Sequence, residues 1–379
     1  MFRKSDNQTS FFGSFIYEHI IPQNHFLRKL SQMVDFSFVN DQCKHLYKEN
    51  GRPCIEPQRL FKRLLLQYFH NLSDAQIEQE VNDRLSFKWF LGLDVNQPSP
   101  DAASLVYFRD RLGEKMFAEL FNHIVHLARK YNLVSDQLHI VDATAVRAKV
   151  DLFRLRNHAS SKNKKDSQDP PLPSTPPPSS HEFISQYSLD PQARFGHTSP
   201  TKKVLGYKAY IQMDESSEII VSATADSANQ QEANHLPELL SQIPKSYTPT
   251  ILLADKAYDT FPNQAHLQEL GIASGILLKR LPRKNPLQPP RFAGGRFQSN
   301  SEFRALAKRR CRIEHKIAEI KRWHSLRVAR FWGLAKTKIQ TLLSCTVVNL
   351  KRMVKLLTYS LLHLLPSLNI VFPLNKGQK

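Results

Sequence analysis

The sequence predicts a mixed α/β fold preceded by an all-helical N-terminal region. Up to about residue 135, apolar side chains recur every three to four positions, the period of an amphipathic helix. From Leu138 onward, short β-rich apolar runs alternate with helical stretches, the pattern of a sheet flanked by helices. Two of those runs end in an aspartate, Asp142 and Asp255, and a later amphipathic helix carries Glu314. Acids at two strand ends and on one helix can converge at a sheet edge, where open α/β sheets place their sites.

In the helical region, Pro57 suits a first helical position, and Leu60, Phe61, Leu64, Leu65 and Tyr68 carry the period to about His70. Ser73 followed by Gln76 is a capping box that opens a helix from Asp74 to about Leu85. Asp101 caps a third helix, and a fourth runs from about Glu114 to Lys130. The tight turn Asn71–Ser73 between two short helices fits a helix-turn-helix and a plain helical bundle about equally.

The run Leu138–Thr144 reads as a buried strand. A Pro/Ser-rich stretch over about 157–200 follows, with eight prolines between Asp166 and Pro200, and that composition reads as a flexible excursion. Leu205–Met213 and Glu218–Thr224 form a hairpin around Asp214–Ser217. A helix over about Gln231–Gln242, a strand Thr250–Ala254, a helix near Pro262–Leu270 and a strand Ala273–Leu278 come next. A Pro/Arg/Lys-rich loop, 280–300, leads to the basic helix Arg304–Lys321. Three parts result: 1–135, 136–336, and a C-terminal helix and tail, 337–379, packing on the core. Lys351, Arg352 and Lys355 interrupt that last apolar helix, so it reads as core packing and not as a membrane span.

A formal charge of +19, from Lys+Arg 53 against Asp+Glu 34, favours a polyanionic partner. Nucleic acid is the first candidate and an anionic membrane surface the second. The four cysteines are scattered without a C-x-x-C pair, which argues against a zinc site or a disulfide framework and suits a reducing cytosol. The N-terminus lacks the apolar core of a signal peptide.

Charge concentrates around Glu314: residues 302–336 hold eleven Lys/Arg against three acids. On a helix, Arg310, Glu314 and Lys321 share one stripe, beside an apolar stripe of Leu306, Ile313, Ile317 and Ile320. Ordinary i,i+4 ion pairs on a solvated helix explain most such patterns. Asp142 and Asp255 lift this one above that reading. Three carboxylates brought together repel, and divalent cations relieve the repulsion. Oxygen ligands of this kind suit Mg²⁺ or Mn²⁺, and two such ions serve phosphodiester chemistry. Trp323 and Trp332 fit either base stacking or core packing. His139 and His324 lack metal-ligand spacing, and Asp151 and Asp259 read as solvated loop acids.

In order along the chain, Ile140–Thr144, Gly206-Tyr207-Lys208, Ala254–Asp259 and Arg310…Glu314…Lys321 resemble the motifs of bacterial insertion-sequence DDE transposases. The last resembles that family's Tyr-Arg-Glu-Lys signature, with Ala307 where the signature has Tyr. Arg330–Leu334, Asn349–Arg352 and the helical region 50–125, with Leu72-Ser-Asp74, match as well. The resemblance implies a ribonuclease H-like core, with Asp142, Asp255 and Glu314 as catalytic residues holding two Mg²⁺ or Mn²⁺ ions. It implies cleavage at the element's ends and attack of the freed 3′-OH on target DNA. Residues 1–135 would bind DNA and assemble the protein, a homodimer on DNA in the bacterial cytoplasm, with no membrane partner. Arg310 and Lys321 would hold DNA phosphates, and Lys256, Tyr258, Arg312 and Lys208 are further DNA-contact candidates. A catalytically silent DNA-binding derivative and a nuclease of the same fold remain alternatives.

Overall fold

The computed structural model describes residues 10–48, 54–151, 181–199, 202–278 and 301–364. The 280–300 loop and the proline-dense stretch 152–180 lie outside the described residues.

The N-terminal layer comprises α1 (Phe11–Ile20), α2 (Phe26–Met33), α3 (Phe38–Cys43), α4 (Pro57–Phe69), α5 (Asp74–Asp83), α6 (Leu85–Leu91) and α7 (Ala102–Lys130). Pro57 opens α4, and the Ser73–Gln76 capping box opens α5 with both of its hydrogen bonds formed. The two helices expected over 102–130 run on as α7, broken only at Gly113, whose φ of +62° favours glycine. α5 carries four acids (Asp74, Glu78, Glu80, Asp83) and no Lys or Arg. Phosphates would repel such a recognition helix, so the helical-bundle alternative is favoured over the helix-turn-helix.

The sheet consists of β1 (Leu138–Arg147), β2 (Arg194–Ser199), β3 (Lys202–Asp214), β4 (Ile220–Ser227), β5 (Ile251–Ala254) and β6 (Ala273–Ile276). β3 pairs antiparallel with β1 on one edge and with β4 on the other; β5 and then β6 add in parallel beside β1. An antiparallel meander extended by parallel strands is the ribonuclease H-like plan the resemblance implies. α8 (His181–Tyr187) precedes β2, α9 (Leu236–Ser241) follows a 3₁₀ turn at Glu232–His235, and α10 (Phe261–Glu269) connects β5 to β6. α11 (Ser301–Arg309), α12 (Cys311–Trp323) and α13 (Leu334–Leu364) complete the chain.

Three expectations need correction. Residues 181–199 are ordered, with Phe183, Ile184 and Ala193 buried and Asp190 accepting from the Tyr207 hydroxyl at 2.5 Å. The average composition of 157–200 hid this local apolar cluster. The helix expected at 231–242 is split by Pro237 near the start of α9. The basic helix is two helices, because the Arg310 N–H bonds back to the Ala307 carbonyl and the Ile313 N–H to the Arg310 carbonyl. These i→i−3 bonds tighten the chain at Arg310.

The C-terminal helix joins the layers. α13 packs along α7, α4, β3 and β4, burying Leu342, Leu343, Val347, Val348, Leu350 and Met353. The Asn349 amide donates to the Ile220 carbonyl and accepts from its N–H, both at 2.8 Å, which fixes α13 against β4. Arg352 donates to the Ser217 carbonyl in the β3–β4 turn. Helical layer and sheet thus share one hydrophobic core. No helix among the described residues is long and apolar enough to cross a membrane.

Candidate active site

Parallel pairing of β1 with β5 sets Val141 opposite Ala254. Asp142 and Asp255 therefore stand at one level on neighbouring strands, about 4.8 Å apart by strand spacing. β5 ends at Ala254, and Asp255 caps the next turn, its carboxylate accepting from the Lys256 N–H at 2.6 Å. Glu314 comes from the first turn of α12, a helix docked on β1 with Ile313, Ile317 and Ile320 buried. The apolar stripe read from sequence is the docking face.

Arg310 links two of the acids. Its Nη2 lies 2.7 Å from Glu314 Oε1 and its Nη1 3.7 Å from Asp142 Oδ2. Burial pushes the Asp142 carboxyl up to about 6. The Ala143 N–H and Arg310 act against that rise, while Glu232 and Glu314 add to it. Among the described residues, no three His, Cys, Asp or Glu side chains close into a ligand set. Arg310 supplies the positive charge between Asp142 and Glu314. The donors themselves fit a hard divalent ion, which would take over that compensation.

The remaining candidates divide. Lys321 Nζ donates to Thr144 Oγ1 at 3.0 Å and to the Ala145 carbonyl at 2.9 Å, pinning α12 to β1. Lys256 is exposed beside Asp255. Lys208 is paired with Glu232 at 2.9 Å, and Arg312 with Glu215 at 2.7 Å, so both already have protein counter-charges. Tyr258 is fully buried and cannot touch DNA where it stands, because its ring fills the core between β5 and α9. Asp259 is also buried, accepting from Gln264 Nε2 at 3.2 Å, and is not a solvated acid. Asp151 is exposed as expected. His139 and His324 are buried and hydrogen-bonded to Gln212 and to the Tyr68 carbonyl. Trp323 and Trp332 are 55% and 50% exposed, so neither is a core residue.

Glu232 escaped the sequence reading. It sits just past β4, close enough to bear on both Asp142 and Tyr258, and no strand-end or helical-stripe signal marks it. A second missed feature is a joint between the layers. Arg330 donates to the Leu72 carbonyl and, at 2.9 Å, to Asn71 Oδ1, while Arg109 makes a two-pronged pair with Asp74. The Leu72-Ser-Asp74 and Arg330–Leu334 motifs thus meet each other.

Comparison with known proteins identifies the family. Residues 15–111 match the family model described as "Transposase domain (DUF772)", and residues 135–350 match "Transposase DDE domain". A cryo-EM structure of a piggyBac transposase synaptic complex with hairpin DNA is similar at 9% identity, over 95% of this chain and 84% of that one. Its TM-score of 0.36 is too low for residue equivalences. The DDE match alone spans more than half of the 379 residues, and the chain belongs to the insertion-sequence DDE transposase family.

Proposed function

We propose that this transposase acts on the ends of an insertion sequence, with Asp142, Asp255 and Glu314 as catalytic carboxylates holding two Mg²⁺ or Mn²⁺ ions. The chain is a DNA cleavage and transfer enzyme of a family that uses divalent metal; the proposal concerns the ions' number and the residues that hold them. The observation that carries it is Arg310, whose one guanidinium reaches acids from a central strand and from a helix remote in sequence. Asp255 stands beside them by register.

When bound, the ions would activate a water or a 3′-hydroxyl and stabilise the leaving oxygen of a phosphodiester. The protein's own part is placement. Released from its two carboxylates, Arg310 presents a fork that matches a phosphate. Lys321 uses two of its three donors on Thr144 and Ala145 and has one left for a phosphate. Lys256 offers an exposed charge next to Asp255. Lys208 and Arg312, paired to acids, position the strands and α12. The enzyme works as a homodimer on DNA, in the cytoplasm on the bacterial nucleoid.

A strand-transfer assay with the DNA flanking the gene tests the proposal. Joined product that needs Mg²⁺ or Mn²⁺ and all three acids supports it. Cut DNA without joining identifies a nuclease, and binding alone identifies a silent derivative.

A further inference from the structure

We infer that a basic groove beside the three acids holds the phosphates of an unpaired DNA strand, with Trp323 stacking on one of its bases. This rests on the DNA reading above and adds where, and in what form, the strand lies. The groove encloses about 720 Å³ and is lined by Lys149, Lys321, Arg322, Arg327 and Arg330, with no acid lining it among the described residues. Lys321 and Arg330 are bonded to protein groups, whereas Lys149, Arg322 and Arg327 are exposed. A concave surface of one charge sign focuses the field and favours a polyanion.

Its position ties it to the reaction. The groove begins where Lys321 meets Thr144 and Ala145, up to three residues beyond Asp142 on β1. At about 3.3 Å per residue that is roughly 10 Å from the acid. A strand crossing the acids therefore runs directly into the groove.

Trp323 decides the form of the strand. It ends α12 with its indole 55% exposed, and the Arg322 guanidinium lies 4.9 Å from its ring centroid. The indole therefore lies against Arg322, one of the residues that line the groove. The carbonyl end of a helix repels phosphate, so at Trp323 the strand presents a base while the flanking cations take its phosphates. Bases within a duplex are stacked on each other and offer no free face. An unpaired base does, and aromatic stacking then holds it whatever its sequence.

Fluorescence anisotropy with the full chain in EDTA tests this, using a 20-base-pair duplex either blunt or with a three-nucleotide unpaired 3′ tail. The wild type should bind the tailed duplex more tightly. Trp323→Ala should weaken only tailed binding, by about five- to a hundredfold, and Trp323→Phe should keep most of it. The triple variant Lys149→Ala, Arg322→Ala, Arg327→Ala should lower the slope of log affinity against log salt by about two, at roughly 0.7 per single-strand contact. These side chains are exposed, and unchanged melting curves would show the variants folded. Equal binding of both probes by the wild type, equal loss on both with Trp323→Ala, or an unchanged slope in the triple variant would overturn the groove assignment. Those outcomes leave the DNA reading standing; only a wild type that binds neither duplex in a salt-dependent way removes that too.

Discussion

Asp142→Asn should stabilise the metal-free protein. The Asp142 carboxyl is held near 6 against an ordinary 3.8, chiefly because burial disfavours its charged form. At about 1.4 kcal/mol per tenfold, ionised Asp142 destabilises the fold by about 3 kcal/mol. Its side chain is 19% exposed, so solvent screening removes only part of that. Asn keeps the shape and removes the charge, and Arg310 retains Glu314 as its partner at 2.7 Å. With an unfolding entropy of about 2.1 cal/mol/K per residue over 379 residues, about 3 kcal/mol corresponds to a rise in Tm of about 4 °C. The sign against pH follows from the raised folded value. The folded state binds this proton more tightly than the unfolded chain, so the wild type loses stability as pH rises from about 4 to about 6. The advantage of Asp142→Asn should therefore be near zero at pH 4 and full at pH 7.5. Scanning calorimetry in EDTA at both values reads the difference. Adding Mg²⁺ or Mn²⁺ at pH 7.5 should raise the wild-type Tm by binding the native state, and the variant should lose most of that gain. A variant melting below wild type at pH 7.5, or a difference that persists at pH 4, would refute the reasoning.

Asp255→Asn and Glu314→Gln should abolish DNA cleavage while leaving DNA binding intact in a gel-shift assay. Asp83→Asn, at an exposed position, is the control and should cleave normally. Asp74→Ala should destabilise the protein by about 3–5 kcal/mol in urea titration, because it leaves the Arg109 guanidinium, only 6% exposed, without its carboxylate. Tyr258→Phe should be neutral or stabilising by up to about 1 kcal/mol, since the buried hydroxyl has no hydrogen-bond partner among the described residues. It should also leave DNA affinity unchanged, and a loss would show that the ring leaves the core on binding.

The motifs of the family resemblance have two kinds of physical cause. In the proposed function, Asp142, Asp255 and Glu314 serve the chemistry. Asn349 and Arg352, in contrast, fasten α13 to β4 and the β3–β4 turn, and Arg330 fastens the loop after α12 to the turn before α5. Arg330→Lys would replace a planar fork with a compact point charge, which such a joint cannot exchange without loss.

Sequence by itself determined whatever depends on neighbours within a few residues. The period of α4, the Ser73–Gln76 box, the Asp101 cap, the hairpin at Asp214–Ser217 and the apolar face of α12 are local patterns, because helix and turn bonds close within four residues. The acids at the ends of apolar runs were legible for the same reason. Tertiary structure alone decided what those elements meet. Asp142 stands beside Asp255 because β5 pairs with β1 in that register, and a one-residue slip would move Asp255 to the other face. Arg310 reaches Asp142 only because the chain tightens there and α12 docks on β1. Asp259 reads as a solvated acid in sequence, and Tyr258 as either a DNA contact or a packing residue; both are buried because the turn after β5 folds beneath α9 and α10. Glu232 has no local signature at all. Its place near Asp142 follows from where β4 ends against the rest of the sheet, a relation among strands far apart in the chain.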